Sequence, residues 1–142
     1  MVQSWPFKKL FFFAPIMRKA GYIEAGAPEN ADLITKCSEI FKSGASIFYF
    51  PEGTRTRTGK LQPFYAGMFR VAVSCNVPVV PVVFHNTRDI CPAGTFAANP
   101  QELRISVLEP IYPESVAGEP KPHLRLRDKA HAAISASLDS KK

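Results

Sequence analysis

The chain has 142 residues, 46% of them hydrophobic and 21% charged, with a formal net charge of +6. These are the proportions of one ordinary globular domain, and they exclude disordered, collagen-like and disulfide-knotted chains. The longest apolar run, Leu10 to Met17, is eight residues long, against the roughly 20 that a spanning helix needs, so no transmembrane segment is predicted. No small-residue cleavage site follows the run, so it does not read as a secretory signal.

The three cysteines, Cys37, Cys75 and Cys91, are far apart and form no Cys-x-x-Cys pair. They read as reduced thiols of a cytosol-facing protein, and no metal knuckle is expected. Charge is uneven: residues 1–23 carry four bases and no acid, residues 24–52 and 92–120 are net acidic, and residues 53–91 and 121–142 are net basic. Such patches suit phosphate on nucleic acid, on a lipid surface or on a small substrate, and charge alone does not choose among them.

Ser4 can cap a helix that holds Pro6 in its first turn. Phe7, Leu10, Phe11, Ala14 and Met17 follow helical spacing, and Trp5, Phe12, Phe13 and Ile16 make the other side apolar as well. A helix apolar all round is buried or sits in lipid, and both readings stand. Lys8, Lys9, Arg18 and Lys19 flank it as interfacial anchors do. Pro15 is predicted to kink or break it near Phe11.

A short strand is expected from Ala20 to Glu24, then a loop from Ala25 to Glu29. Asn30 is a good N-cap for a helix to Ser43, with Leu33, Ile34, Cys37, Ile40 and Phe41 on one face and Gly44 as its stop. Ser46 to Phe50 reads as a strand buried on both faces. After a polar loop over 51–62, the spacing of Phe64, Met68, Val71, Ala72 and Cys75 predicts a helix ended by Asn76. Val77 to Phe84 is apolar but interrupted by Pro78 and Pro81, so it should be an irregular or edge strand. Beyond a loop over 92–100, Leu103 to Leu108 alternates as a strand. Residues 109–122, with four prolines, form a loop, and Leu126, Ala130, Ile134 and Leu138 mark a closing amphipathic helix. The alternation of helices and strands argues for an α/β sandwich around a largely parallel sheet, in a single domain over residues 1–142.

The most informative stretch is Phe50-Pro51-Glu52-Gly53-Thr54-Arg55-Thr56-Arg57-Thr58-Gly59-Lys60. It leaves the carboxyl end of a predicted strand, where open α/β sheets place their ligands. Its glycines let a backbone approach closely, its hydroxyls and N–H groups donate, and guanidinium grips two oxygens of a phosphate at once. A solvated basic turn explains the same composition. Nucleic acid is not expected as a partner, because aromatic platforms and a known binding motif are missing around Arg55, Arg57 and Lys60.

The string Phe50-Pro51-Glu52-Gly53-Thr54-Arg55 after an apolar strand resembles the third sequence block of the glycerolipid acyltransferases, which acylate glycerol-3-phosphate and lysophosphatidic acid. Phe64 to Phe69 resembles the segment that follows that block. Val77-Pro78-Val79-Val80-Pro81-Val82 resembles the fourth block, and Phe7 to Ile23 resembles the stretch leading to the second. The resemblance covers about residues 5–112, and residues 113–142 add a loop and the C-terminal helix. It implies a glycerol-3-phosphate acyltransferase-like α/β fold, with a largely parallel central sheet flanked by helices and incomplete at the N-terminus.

The resemblance also implies a function. A fatty acyl group moves from acyl-CoA or acyl carrier protein, as co-substrate, to lysophosphatidic acid in phospholipid biosynthesis, at a membrane surface on the cytoplasmic face. Neither a cofactor nor a metal is implied. Glu52, Gly53, Thr54 and Arg55 would bind the acceptor's phosphate. The family's general base is the histidine of a first block, Asn-His-x-x-x-x-Asp, and no residue of this chain stands in that block.

His123 and Asp128 have its spacing, but they follow the fourth block, with Pro122 in place of asparagine, and this match reads as coincidence. His85 can line a pocket, and His131 should sit on a solvated or half-buried helix face. The second block's arginine is replaced by Glu24-Ala25-Gly26, and Tyr65 stands where a lysine is usual. The chain therefore reads as an N-terminally truncated acyltransferase. The alternative is a non-catalytic homologue that binds phospholipid or acyl-CoA.

Overall fold

The structure is a computed structural model and describes residues 2–3, 12–25, 33–54, 56, 58–90 and 99–140. The chain forms two units, Met1–Gly53 and Thr54–Lys142.

In the first unit, β1 (Val2–Gln3) and β2 (Glu24–Ala25) pair in parallel, Val2 opposite Glu24 and Gln3 opposite Ala25. Helix α1 spans Ala14–Lys19 and α2 spans Leu33–Lys42. The helix expected to begin near Ser4 lies outside the described residues over 4–11. Where the chain is described, α1 begins at Ala14 with Pro15 in its first turn. In the first turn the missing N–H has no partner to lose, and φ is already helical.

The helix ends obey local chemistry. Gly21 sits at φ +79°, and the N–H groups of Tyr22 and Gly21 donate to the carbonyls of Met17 and Arg18, both at 3.0 Å. Gly44, at φ +82°, repeats the arrangement: Ala45 donates to Ile40 at 3.3 Å and Gly44 to Phe41 at 3.0 Å. These paired bonds satisfy the last carbonyls of each helix and need a left-handed residue. The closure of α1 occupies Ala20 to Tyr22, so the strand expected over Ala20–Glu24 pairs only at Glu24–Ala25.

A Cβ at Gly44 would meet nothing within 4 Å, so Gly44→Ala isolates the backbone strain. The substitution should cost about 1 kcal/mol, read as a lowered urea midpoint with an unchanged slope. An unchanged midpoint would contradict this account of the helix stop.

Ser46 to Phe50 forms no ladder among the described residues, and it is not buried on both faces: Phe48 is 56% and Phe50 66% exposed. An apolar run records only that a segment can be buried, and a strand also needs a neighbour to complete its hydrogen bonds. The rings of Phe48 and Phe50 meet edge-on at 5.2 Å.

In the second unit the core lies between α3 (Gly67–Cys75) and α5 (Pro122–Asp139). Met68, Phe69, Val71 and Ala72 are buried on α3, and Leu126 and Ala130 on α5. Their spacings of three and four residues keep each set on one helix face. Asn76, at φ 50°, closes α3, with Val77 donating to the Ala72 carbonyl at 3.0 Å and Asn76 to Val73 at 3.3 Å.

β3 (Val82–Phe84) runs antiparallel to β4 (Ile105–Val107), with Val82 opposite Val107 and Phe84 opposite Ile105. The prolines make this strand irregular, as expected. Val79 exchanges both backbone bonds with Ile111, at 3.0 and 2.8 Å, while Pro81 only accepts, from Leu108 at 2.9 Å. A one-turn helix, α4 (Thr87–Ile90), follows β3, and a 3₁₀ turn at Pro113–Val116 precedes α5. Helices and strands interleave along the chain, except that α2 and α3 follow one another with no ladder described between them. Among the described residues the ladders are two short pairs, one parallel and one antiparallel.

Candidate functional site

The acidic end of the third block is a turn. The Gly53 N–H donates to the Phe50 carbonyl at 3.1 Å, and Gly53 has φ +67°. Pro51 and Gly53 stand at the second and fourth positions of this turn, where proline and glycine are favoured. Glu52 is half-buried and Thr54 is exposed. Glu52 and Gly53 close the first unit and Thr54 opens the second. Arg55 lies outside the described residues, and so does Arg57.

Downstream, Thr56 Oγ1 and Thr58 Oγ1 lie 3.4 Å apart. Thr58 Oγ1 accepts from the Lys60 N–H at 3.4 Å, and Gln62 Nε2 donates to the Lys60 carbonyl at 3.0 Å. Gly59, at φ +77°, turns the loop. Within the second unit, the described residues of this loop thus offer a glycine turn, threonine hydroxyls and the Lys60 ammonium, groups that can meet an anion.

Just before the turn, the Tyr49 hydroxyl is buried, and desolvation pushes its pKa well above the usual tyrosine value.

The histidines have separate environments. His85 is buried, and its Nε2 lies 3.0 Å from Ser106 Oγ across the β3–β4 pair. His131 is half-buried and meets the Phe64 ring edge-on at 4.7 Å, as its expected helix face allows. His123 sits in the first turn of α5. Asp128 lies five residues further on, about 140° around the helix. Asp128 Oδ1 accepts from Arg127 Nε and Nη2 at 2.9 and 2.7 Å. The His-x-x-x-x-Asp spacing therefore does not aim the two side chains at one point. Sequence reading missed the His85–Ser106 pair. Its signal was the alternation of Leu103 to Leu108, which puts Ser106 on the face opposite Ile105 and Val107.

The Acyltransferase family's sequence profile matches residues 4–85, more than half of the chain and inclusive of the third and fourth blocks. The chain belongs to the Acyltransferase family. It is 43% identical over 84 residues to the chloroplastic 1-acyl-sn-glycerol-3-phosphate acyltransferase BAT2 of Brassica napus, a match over 58% of this chain and 24% of the relative. It is 29% identical over 109 residues to the human 1-acyl-sn-glycerol-3-phosphate acyltransferase alpha, over 74% of this chain and 38% of the relative.

Among solved structures it resembles PlsC, the 1-acyl-sn-glycerophosphate acyltransferase of Thermotoga maritima. The TM-score is 0.67 at 28% identity, over 77% of this chain and 45% of that one. The α/β acyltransferase-like fold expected from the sequence is thus the fold found. The chain spans less than half the length of these relatives.

Proposed function

We propose that this chain supplies the acceptor-binding part of a 1-acylglycerol-3-phosphate acyltransferase, with residues 1–142 acting as one acyltransferase-like domain. The observation that carries this reading is the Phe50–Arg55 string, inside the family-matched region and built on a turn with glycine at positive φ. Glu52, Gly53, Thr54 and Arg55 hold the phosphate of lysophosphatidic acid: Gly53 admits the phosphate to the backbone, Thr54 donates its hydroxyl, Arg55 takes two oxygens, and Glu52 orients the guanidinium.

The reaction is acyl transfer from acyl-CoA or acyl carrier protein to the acceptor hydroxyl. It needs a histidine–aspartate general-base pair that these 142 residues do not contain, so they are expected to bind lysophosphatidic acid without turning it over. Calorimetry should show lysophosphatidic acid binding at least about tenfold tighter than the monoacylglycerol lacking the phosphate. Equal affinities would overturn the proposal.

The substrate's bilayer is the second partner, on the cytoplasmic face. No described helix is long and apolar enough to cross a membrane. Phe12, Phe13 and Ile16 are nevertheless exposed beside Arg18 and Lys19, an apolar edge with cations next to it that suits an anionic interface. Co-sedimentation with vesicles containing phosphatidylglycerol should fall severalfold in the Phe12→Ser/Phe13→Ser double variant. Undiminished binding would remove this segment from the contact.

A further inference from the structure

The second unit holds a cleft of about 690 Å³ that lies wholly beyond residues 4–85 and owes nothing to the third block. Val107, Leu108, Ile111 and Tyr112 form one wall, and Lys129 and Ala133 of α5 the other. Its volume falls within the range of about 300–1,000 Å³ found for small-molecule sites.

The lining is mostly apolar and opens onto an apolar surface. Val107 and Tyr112 are exposed, and Ile105, two residues before Val107 on the same strand face, is exposed too. The apolar lining and the apolar surface next to it suit a hydrocarbon chain.

One cation stands in the wall. Lys129 Nζ donates to the Ser115 carbonyl at 2.8 Å and to Ser115 Oγ at 3.3 Å. An ammonium has three hydrogens, so one is left for a ligand. Glu109 is the one acid among the described lining residues. Lys129 is the one cation among the described lining residues, so the cleft suits a ligand with a single anionic head group.

We propose that this cleft binds a long-chain fatty acid, its carboxylate accepting from Lys129 Nζ and its chain lying along Val107, Ile111 and Ala133. The site does not depend on the acceptor-phosphate reading above.

The test is calorimetric titration of the whole 142-residue chain with myristate below its micelle concentration, with circular dichroism showing each variant folded. One myristate should bind per chain. Lys129→Met should weaken it about tenfold, Lys129→Arg should retain most of the affinity, and Ala133→Phe, which fills the cleft, should abolish binding. Methyl myristate should bind wild type no better than myristate binds Lys129→Met.

Arg55→Ala should leave myristate binding unchanged whatever it does to lysophosphatidic acid. Failure of the phosphate-site reading is thereby distinguished from failure of this one. Absence of myristate binding by the folded chain, or equal binding by wild type and Lys129→Met, would overturn the proposal. Loss of myristate binding in Arg55→Ala would place the ligand at the loop and would also overturn it.

Discussion

Arg55→Ala should lower the affinity for lysophosphatidic acid about a hundredfold. A hydrogen bond to a charged group contributes about 1.5–3 kcal/mol net, and a guanidinium gripping two phosphate oxygens makes two. A hundredfold loss corresponds to about 2.8 kcal/mol, near the upper end for one bond and modest for two. Arg55→Lys should recover only part, because the ammonium lacks the planar fork. Glu52→Gln should lose less than Arg55→Ala, since it removes an orienting partner and leaves the cation in place. Higher ionic strength should narrow the gap between wild type and Arg55→Ala, because salt screens the attraction between guanidinium and phosphate. Calorimetric titration against lysophosphatidic acid measures all of these. Equal binding by wild type and Arg55→Ala would take the phosphate away from the third block.

The largest expected effect on stability comes from Phe69→Ala. Phe69 is buried on α3, and its ring stacks on Phe64 with centroids 6.4 Å apart and planes 9° from parallel. Truncation removes the transfer energy of the ring and leaves a cavity between α3 and α5, together about 3–5 kcal/mol. Against a typical total of about 5–15 kcal/mol, that is a third or more of the stability. The melting temperature of the helical signal should fall by more than about 10 °C. Phe69→Leu keeps most of the volume and should fall less. A fall of only a degree or two in Phe69→Ala would mean that this face does not form the core of the second unit.

The features legible in the sequence act over a few residues. Gly44 and Asn76 end α2 and α3 because the last carbonyls of a helix need a left-handed residue next to them, and that demand is met inside one turn of chain. The Phe50–Gly53 turn follows in the same way from proline and glycine at its preferred positions. The Pro78 and Pro81 breaks follow from a missing N–H. The acyltransferase family was legible too, since it rests on a contiguous string of residues.

Tertiary structure alone decided where the apolar runs went. Phe48 and Phe50 belong to a run that suits a two-sided core strand, yet both are exposed. Ile105 and Val107 alternate with polar residues as an inward face would, yet they point outward while Ser106 meets His85. In each case the chain's own pattern states which side chains share a face. Which face is covered depends on segments distant in sequence, because burial needs a neighbour and a ladder needs a partner strand, and periodicity carries neither.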